Sequence, residues 1–140
     1  MTKAEVEPVE PDDARAYDFL GQATRFLADA EGASHLESAV VLYWNACISA
    51  MDAVLAAEGS RISSGEDSHA VRIEAAFDIL GGGFGDLRER LDEWRRERHG
   101  VSYRAITPAA ADVAAMQTDA RDIAAAAEDH LDRRSRSRSS

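Results

Sequence analysis

The apolar stretch between residues 36 and 55 constrains the fold more than any other part of this chain. Its apolar residues recur at the spacing of an α-helix, and Trp44, Ile48 and Leu55 widen the face that they form. Such a helix has to be enclosed by other elements, so we predict a central helix, mostly buried. The residues that set its period are Leu36, Val40, Tyr43, Cys47, Met51 and Val54.

Composition extends the helical prediction to the rest of the chain. Alanine is abundant, only three prolines occur, and runs of β-branched residues are scarce, which together favour helices over strands. A chain of 140 residues with 45% hydrophobic residues suits one domain around a single core. We therefore predict an all-α fold, an up-and-down bundle of about five helices.

Capping and breaking residues place the other helices. Asp12 or Asp13 begins a first helix that runs to about Ala30, and Ser34 caps the central one. A third helix spans Ser68 to Leu80, after an exposed loop over residues 60–67. Glycines at 81, 82, 83 and 85 separate it from a fourth helix, which Gly100 ends or bends. Thr107 and Pro108 start a fifth, whose inner stripe is Val113, Met116, Ala120, Ile123 and Ala127.

The two ends of the chain differ from its middle. Residues 1–11 are acidic, contain two prolines and have no apolar period, so we predict a disordered leader. Residues 133–140 hold four arginines and no acid, and we predict a disordered Arg/Ser tail, with RNA steering as the functional alternative. The bundle itself is predicted over residues 12–132.

Charge and cysteine content narrow the functional classes. A net charge of −10 weighs against a broad nucleic-acid-binding surface, so only a local site is expected to bind RNA. Cys47 is the only cysteine, and the N-terminus lacks the pattern of a signal peptide, which predicts a cytoplasmic protein. The longest uncharged run, Ser38 to Met51, has 14 residues and is too short for a membrane span.

The segment from Asp86 to Arg104 is a basic island relative to the rest of the chain. It holds six arginines against five acids, while the whole chain carries net charge −10. Its apolar stripe runs through Leu87, Leu91 and Trp94, and the next position on that stripe is Arg98. A buried unpaired guanidinium costs several kcal/mol, so we expect Arg98 to be paired, to lie at a cleft or to face another subunit.

A phosphate site is predicted at the end of this fourth helix. If the helix continues through Gly100, then Arg95, His99 and Tyr103 lie on one face at offsets of four. Arginine binds phosphoryl oxygens through two donors and histidine transfers protons near neutral pH, which are the requirements of metal-free RNA cleavage. The alternative is an exposed helix end stabilised by pairs such as Asp92 with Arg96.

Other reactive residues receive structural interpretations. The one Glu-x-x-His pattern joins Glu66 to His69, but its glutamate lies in a Ser/Gly loop, so no metal is predicted. His69 and His35 lie near helix starts, where surface or capping roles are usual. Cys47 lies on the central stripe and is predicted to be a core residue. No glycine-rich loop follows a strand, and no cofactor is expected.

The chain resembles the HEPN (higher eukaryotes and prokaryotes nucleotide-binding) domain family over about residues 12 to 130. The resemblance is carried by the long central helix VLYWNACISAMDAVLAAEG, by the polar loop before Ser68 and His69, and by RHGVSYR before the last helix. It implies a module of a bacterial toxin-antitoxin or defence system, often a dimeric ribonuclease in which the motif's arginine and histidine meet their symmetry mates in a cleft.

The resemblance assigns roles to the residues of the motif. Arg98 and His99 match its arginine and polar residue, while Tyr103 takes the place of the catalytic histidine, which compromises cleavage. Arg98, His99 and Tyr103 are the expected catalytic residues, and Arg95, Arg104 and Ser102 the expected RNA- or phosphate-binding ones. The implied partners are RNA or a nucleotide, a second copy of the chain, and an antitoxin or a nucleotidyltransferase that modifies a tyrosine. The alternative function is a noncatalytic adaptor bundle.

Overall fold

The computed structural model describes residues 2–104 and 108–139, with side chains for residues 2–97 and 108–138. The all-α prediction is confirmed, because five α-helices form the fold, and the other regular elements of the described residues are a two-stranded sheet and one 3-10 turn over Gly82–Phe84. The elements in chain order are β1 (Val6–Pro8), α1 (Asp13–Glu31), α2 (Leu36–Ala57), β2 (Ser60–Ile62), α3 (Ser68–Leu80), α4 (Gly85–Arg104) and α5 (Ala110–Ser139).

Helix α2 lies at the centre of the bundle, as its apolar period predicts. It packs against α1, α3 and α5, and Trp44, Met51 and Leu55 are each at most 1% exposed. It is also the one helix of the described chain whose length and mean hydropathy of 1.6 would suit a membrane span. Because 72% of that apolar window is buried inside the bundle, its composition is accounted for by its place in the core.

Small residues let α1 approach α2 closely. Ala16 and Ala23 of α1 are fully buried, and so are Ala46, Ala50 and Ala53 of α2. The stripe predicted for α5 is buried as well, from Val113 to Ala127, so the fifth helix closes the core from another side.

The helix starts match their sequence signals to within two residues. Asp12 is the N-cap of α1, and its Oδ1 accepts a hydrogen bond from the Arg15 backbone N–H at 2.9 Å. Helix α3 spans Ser68–Leu80 as predicted. Helix α2 begins one residue later than a Ser34 cap would place it, with His35 in the N-cap position and no side-chain cap bond.

The N-terminal segment is ordered in the structure, in contrast to the predicted disordered leader. Strand β1 pairs antiparallel with β2, in a register that places Val6 opposite Ile62. Ala4 is 4% exposed, and its backbone N–H donates to the Glu66 carbonyl at 3.0 Å. The pairing partner lies more than fifty residues away in sequence, inside the segment predicted as a loop, and no local period reveals such a partner.

The C-terminal segment also differs from its prediction. Helix α5 continues through Ser139, whereas a disordered tail was predicted from residue 133. Arg134 bonds to Asp13 and Glu58, and Arg138 bonds to Asp13, which ties the end of α5 to α1 and α2. Those carboxylates lie far away in sequence, so the tail acquires its helical context only from the bundle.

A substitution at Gly59 tests whether the N-terminal segment packs on the bundle. Its φ is +77°, and a Cβ there would lie 2.8 Å from the Val9 carbonyl oxygen. We expect Gly59→Ala to lower the free energy of unfolding by about 1–3 kcal/mol, measured by urea denaturation. Gly83→Ala is the matched control, because a Cβ there meets nothing within 4 Å. Equal losses in the two variants would show that Val9 does not pack against Gly59.

Candidate functional site

Helix α4 continues without a break through Gly100 to Arg104. The condition for the predicted phosphate site is therefore met at the backbone, since offsets of four place Arg95, His99 and Tyr103 on one side of a continuous helix. Arg95 is the member of the predicted site whose side chain is described. The side chains of the other predicted residues lie outside the described ones: Arg98, His99, Ser102, Tyr103 and Arg104.

Asp92 holds two arginines at the start of this segment. Its Oδ1 accepts from Arg95 Nε at 2.9 Å, and its Oδ2 lies 3.2 Å from a terminal nitrogen of Arg96. The predicted pair of Asp92 with Arg96 is thus present. The Arg95 side chain is 27% exposed, and a guanidinium has five N–H donors, so this pairing leaves Arg95 with further donors.

Asp119 of α5 anchors α4 where the basic segment begins. The Asp119 side chain is 5% exposed, and its two oxygens accept from Arg90 Nε and Trp94 Nε1, each at 2.8 Å. The hydrogen bond to Asp119 raises the pKa of Arg90. Sequence reasoning missed this carboxylate, although a signal was present: Asp119 lies three residues after Met116 and four before Ile123, on the buried stripe of α5.

Positive charge accumulates in the second half of α4. Residues 95–104 hold four arginines and one acid, net +3, in a chain of net charge −10. Arg95 and Arg96 share Asp92, and most described arginines elsewhere in the chain are also bound to carboxylates, which lowers their contribution to the field around the protein. These pairs are Arg61 with Glu7, Arg72 with Asp52, Arg88 with Asp78, Arg90 with Asp119, Arg121 with Glu31, Arg133 with Asp129, Arg134 with Asp13 and Arg138 with Asp13.

A cavity of about 690 Å³ lies between the small sheet and helices α1, α2 and α3. Its wall contains an ion pair in which Arg72 Nε donates to Asp52 Oδ1 at 2.9 Å, with the two side chains 12% and 23% exposed. Burial raises the pKa of Asp52, and the neighbouring Arg72 and Arg15 oppose that effect. A perturbed carboxylate beside a cavity is a functional candidate on physical grounds.

His69 continues this network toward the core. Arg72 Nη1 lies 2.8 Å from His69 Nδ1, and because a guanidinium only donates, the ring nitrogen is the acceptor in this contact. The His69 ring meets Trp44 edge to face, with 5.7 Å between centroids. Trp44 Nε1 is buried with no hydrogen-bond partner in the part of the chain that the structure describes.

Sequence reasoning missed this network and gave His69 a surface or capping role. The N-cap of α3 is Asp67, while His69 is half-buried. The available signal was charge in apolar surroundings, because Asp52 follows Met51 in the central helix and Arg72 precedes Ile73. Which of these charged residues pair could not be deduced, since α2 and α3 meet only in the folded bundle.

The described residues also bear on metal binding and on the thiol of Cys47. No group of three or more His, Cys, Asp or Glu side chains within the described residues could hold a metal ion. Cys47 is fully buried, as predicted for a core residue, and burial raises the pKa of its thiol well above the ordinary range. A thiol in such surroundings is not a nucleophile at neutral pH.

Comparison with known proteins adds no family assignment. No protein-family model matches the sequence, and neither the curated proteins nor the solved structures give a significant match. The candidate site therefore rests on the residues described above and on the sequence patterns.

Proposed function

We propose that this chain is an HEPN-like helical module of a bacterial toxin-antitoxin or defence system, and that it binds RNA or a nucleotide phosphate through the second half of α4. The observation that supports the proposal is the unbroken course of α4 through Gly100, which keeps Arg95, His99 and Tyr103 in helical register. The net charge of +3 over residues 95–104 gives this segment the sign that phosphate requires.

The residue types suit phosphate recognition. Arg98 is proposed to hold the phosphate through paired donors, and His99 to orient it or to accept a proton. Tyr103 donates a hydrogen bond, and Ser102 adds a hydroxyl. Arg95 and Arg104 add positive charge on either side.

The proposal includes a homodimer, in which Arg98 on the apolar stripe of α4 lines a cleft between two copies. Any ribonuclease activity there is metal-independent and weak, because Tyr103 stands where the family's histidine would be. A tyrosine with an ordinary pKa near 10 is a poor base at neutral pH. An antitoxin or nucleotidyltransferase partner belongs to the same proposal.

Binding is tested by fluorescence anisotropy with a labelled RNA of 16 nucleotides, in EDTA and low salt. We expect Arg98→Ala to weaken binding by about tenfold, since a hydrogen bond to a charged group contributes roughly 1.5–3 kcal/mol. Arg25→Ala on α1 is the matched control, because Arg25 is exposed and distant in sequence from α4. Equal affinities of wild type and Arg98→Ala would refute the assignment of α4.

The oligomeric state and cleavage are measured on the same samples. Sedimentation should give a dimer, and incubation with total RNA and EDTA should give products that Arg98→Ala and His99→Ala lose. Identical products from all three proteins would assign cleavage to a contaminant. A monomer that binds no RNA would favour the noncatalytic adaptor instead.

A further inference from the structure

The end of α5 forms a groove with the end of α3. The groove has a volume of about 500 Å³ and an apolar floor of Ile79 and Leu80. None of the side chains that line it is acidic. Its basic lining consists of His130, Arg133, Arg134 and Arg138.

This end of α5 is the second basic segment of the chain. Residues 130–139 hold four arginines and one acid, a net charge of +3. Since the whole chain has a net charge of −10, the residues outside this segment have a net charge of −13. Because α5 is helical throughout, offsets of four place His130, Arg134 and Arg138 on one side of it. The segment also has the Arg/Ser composition found in proteins that bind single-stranded nucleic acid without sequence preference.

Two of the basic side chains hold the helix in place. The Arg134 side chain is 22% exposed and bonds to both Asp13 and Glu58. His130 Nε2 lies 3.2 Å from Glu58 Oε1. These contacts fasten α5 to α1 and α2, and we assign Arg134 and His130 to the structure of the groove.

The other two arginines are available for exchange with a ligand. Arg133 pairs with Asp129 on its own helix at 2.9 Å, and both side chains are more than half exposed. An exposed pair of this kind is weak, so a phosphate can replace the carboxylate. Arg138 bonds to Asp13, but its side chain is 59% exposed, and its planar guanidinium has further donors that fit phosphate oxygens.

The two basic segments lie far apart. Trp94, next to the basic part of α4, is fixed to Asp119, and Arg138 follows Asp119 by nineteen residues of continuous helix. At a rise of about 1.5 Å per residue, the separation is about 28 Å along α5. At about 3.4 Å per nucleotide of a stacked strand, this span corresponds to about eight nucleotides.

We infer that the end of α5 contacts the sugar-phosphate backbone of the same RNA whose phosphate binds α4, so that the ligand is a single strand of at least about eight nucleotides rather than a mononucleotide. The inference rests on the proposed function of α4. An acidic protein segment is the competing ligand for the groove. RNA is favoured because the groove and the second half of α4 are both basic, and because the end of α5 has an Arg/Ser composition.

The test uses fluorescein-labelled oligouridylates of 4 and 16 nucleotides, titrated over a range of NaCl concentrations. We expect Arg133→Gln/Arg138→Gln to weaken binding of the 16-mer about tenfold at low salt, and to reduce the slope of log K against log salt by about 1.4, since each lost phosphate contact contributes about 0.7. Binding of the 4-mer, which reaches only α4, should be unchanged. Arg25→Gln/Arg61→Gln, on α1 and β2, removes the same charge from exposed positions and should retain the wild-type slope.

A second double variant separates this inference from the proposed function. Arg98→Gln/Arg104→Gln should weaken both oligonucleotides. If it does so while Arg133→Gln/Arg138→Gln binds both oligonucleotides with wild-type affinity, the RNA contact of α5 is refuted and the role of α4 stands. If only the α5 variant loses binding, the role of α4 and the inference of one RNA bridging both segments are refuted, and the end of α5 is left as an RNA-binding surface by itself. Displacement of the 16-mer by poly-glutamate as efficiently as by unlabelled RNA would overturn the inference in favour of an acidic protein partner. Circular dichroism of each variant checks that the helices are retained.

Discussion

Asp119→Ala is expected to lower the free energy of unfolding by about 2–4 kcal/mol, because it leaves two donors without an acceptor. Asp119 is 4% exposed and accepts from Trp94 Nε1 and Arg90 Nε at 2.8 Å each. The Arg90 side chain is 46% exposed and can regain water, so the larger part of the loss is expected from the half-buried indole of Trp94.

Urea denaturation followed by circular dichroism measures this loss. Asp122→Ala removes an exposed acid from the same helix and should change stability by less than about 0.5 kcal/mol. Asp119→Asn keeps one acceptor oxygen, so its loss of stability should lie between those of Asp119→Ala and Asp122→Ala. Equal stability of Asp119→Ala and Asp122→Ala would show that this carboxylate does not anchor α4.

Asp119→Ala also tests whether the contact between Asp119 and Trp94 affects RNA binding. Trp94 directly precedes the segment 95–104, so losing its contact to α5 frees the base of that segment. Under the proposed function, we expect Asp119→Ala to weaken RNA binding at temperatures where the protein is still folded. Unchanged RNA affinity in a folded, destabilised variant would separate the structural role of Asp119 from any role in the site.

Arg72→Met is expected to lower the free energy of unfolding by about 2–3 kcal/mol at pH 7.5. It leaves the Asp52 carboxylate in a half-buried place without its partner, and it removes the donor to His69 Nδ1. The expected loss is smaller than for a fully buried pair because the Arg72 and Asp52 side chains are 12% and 23% exposed. Replacing both partners, as in Asp52→Leu/Arg72→Met, should restore most of the stability, because neither charge is then desolvated.

The loss in Arg72→Met should depend on pH. Burial raises the pKa of Asp52 above its unfolded value, and Arg72 opposes that shift. For an acid with a raised folded pKa, the stabilising contribution is present below the unfolded pKa and is lost as pH rises through the folded pKa. Without Arg72 the pKa of Asp52 rises further, so the difference from wild type should be largest at neutral pH and should shrink toward pH 4.

Arg88→Met provides the comparison for that measurement. Its pair with Asp78 spans 3.3 Å with side chains 41% and 67% exposed, so its removal should cost less than about 0.5 kcal/mol. A difference between Arg72→Met and wild type that stays constant from pH 4.5 to 7.5 would contradict the assignment of Asp52 as the desolvated partner.

Local patterns in the sequence determined the helices. The cap at Asp12, the limits of α3 and the inner stripe of α5 were all predicted, because helical period, capping and chain breaking depend on residues within a few positions of one another. The phosphate site on α4 stays a prediction from the spacing and the resemblance, and the backbone meets its one stated condition, the continuity of α4 through Gly100.

Tertiary structure alone decided which charges meet and which segments pair. The partners of Asp119, Asp52 and Arg134 lie on other helices, and strand β1 pairs with a segment more than fifty residues away. A charged residue in an apolar stripe signals only that it needs a partner, since burial without one is costly. The identity of that partner depends on how the helices pack, and this is set by the whole core rather than by any window of the sequence.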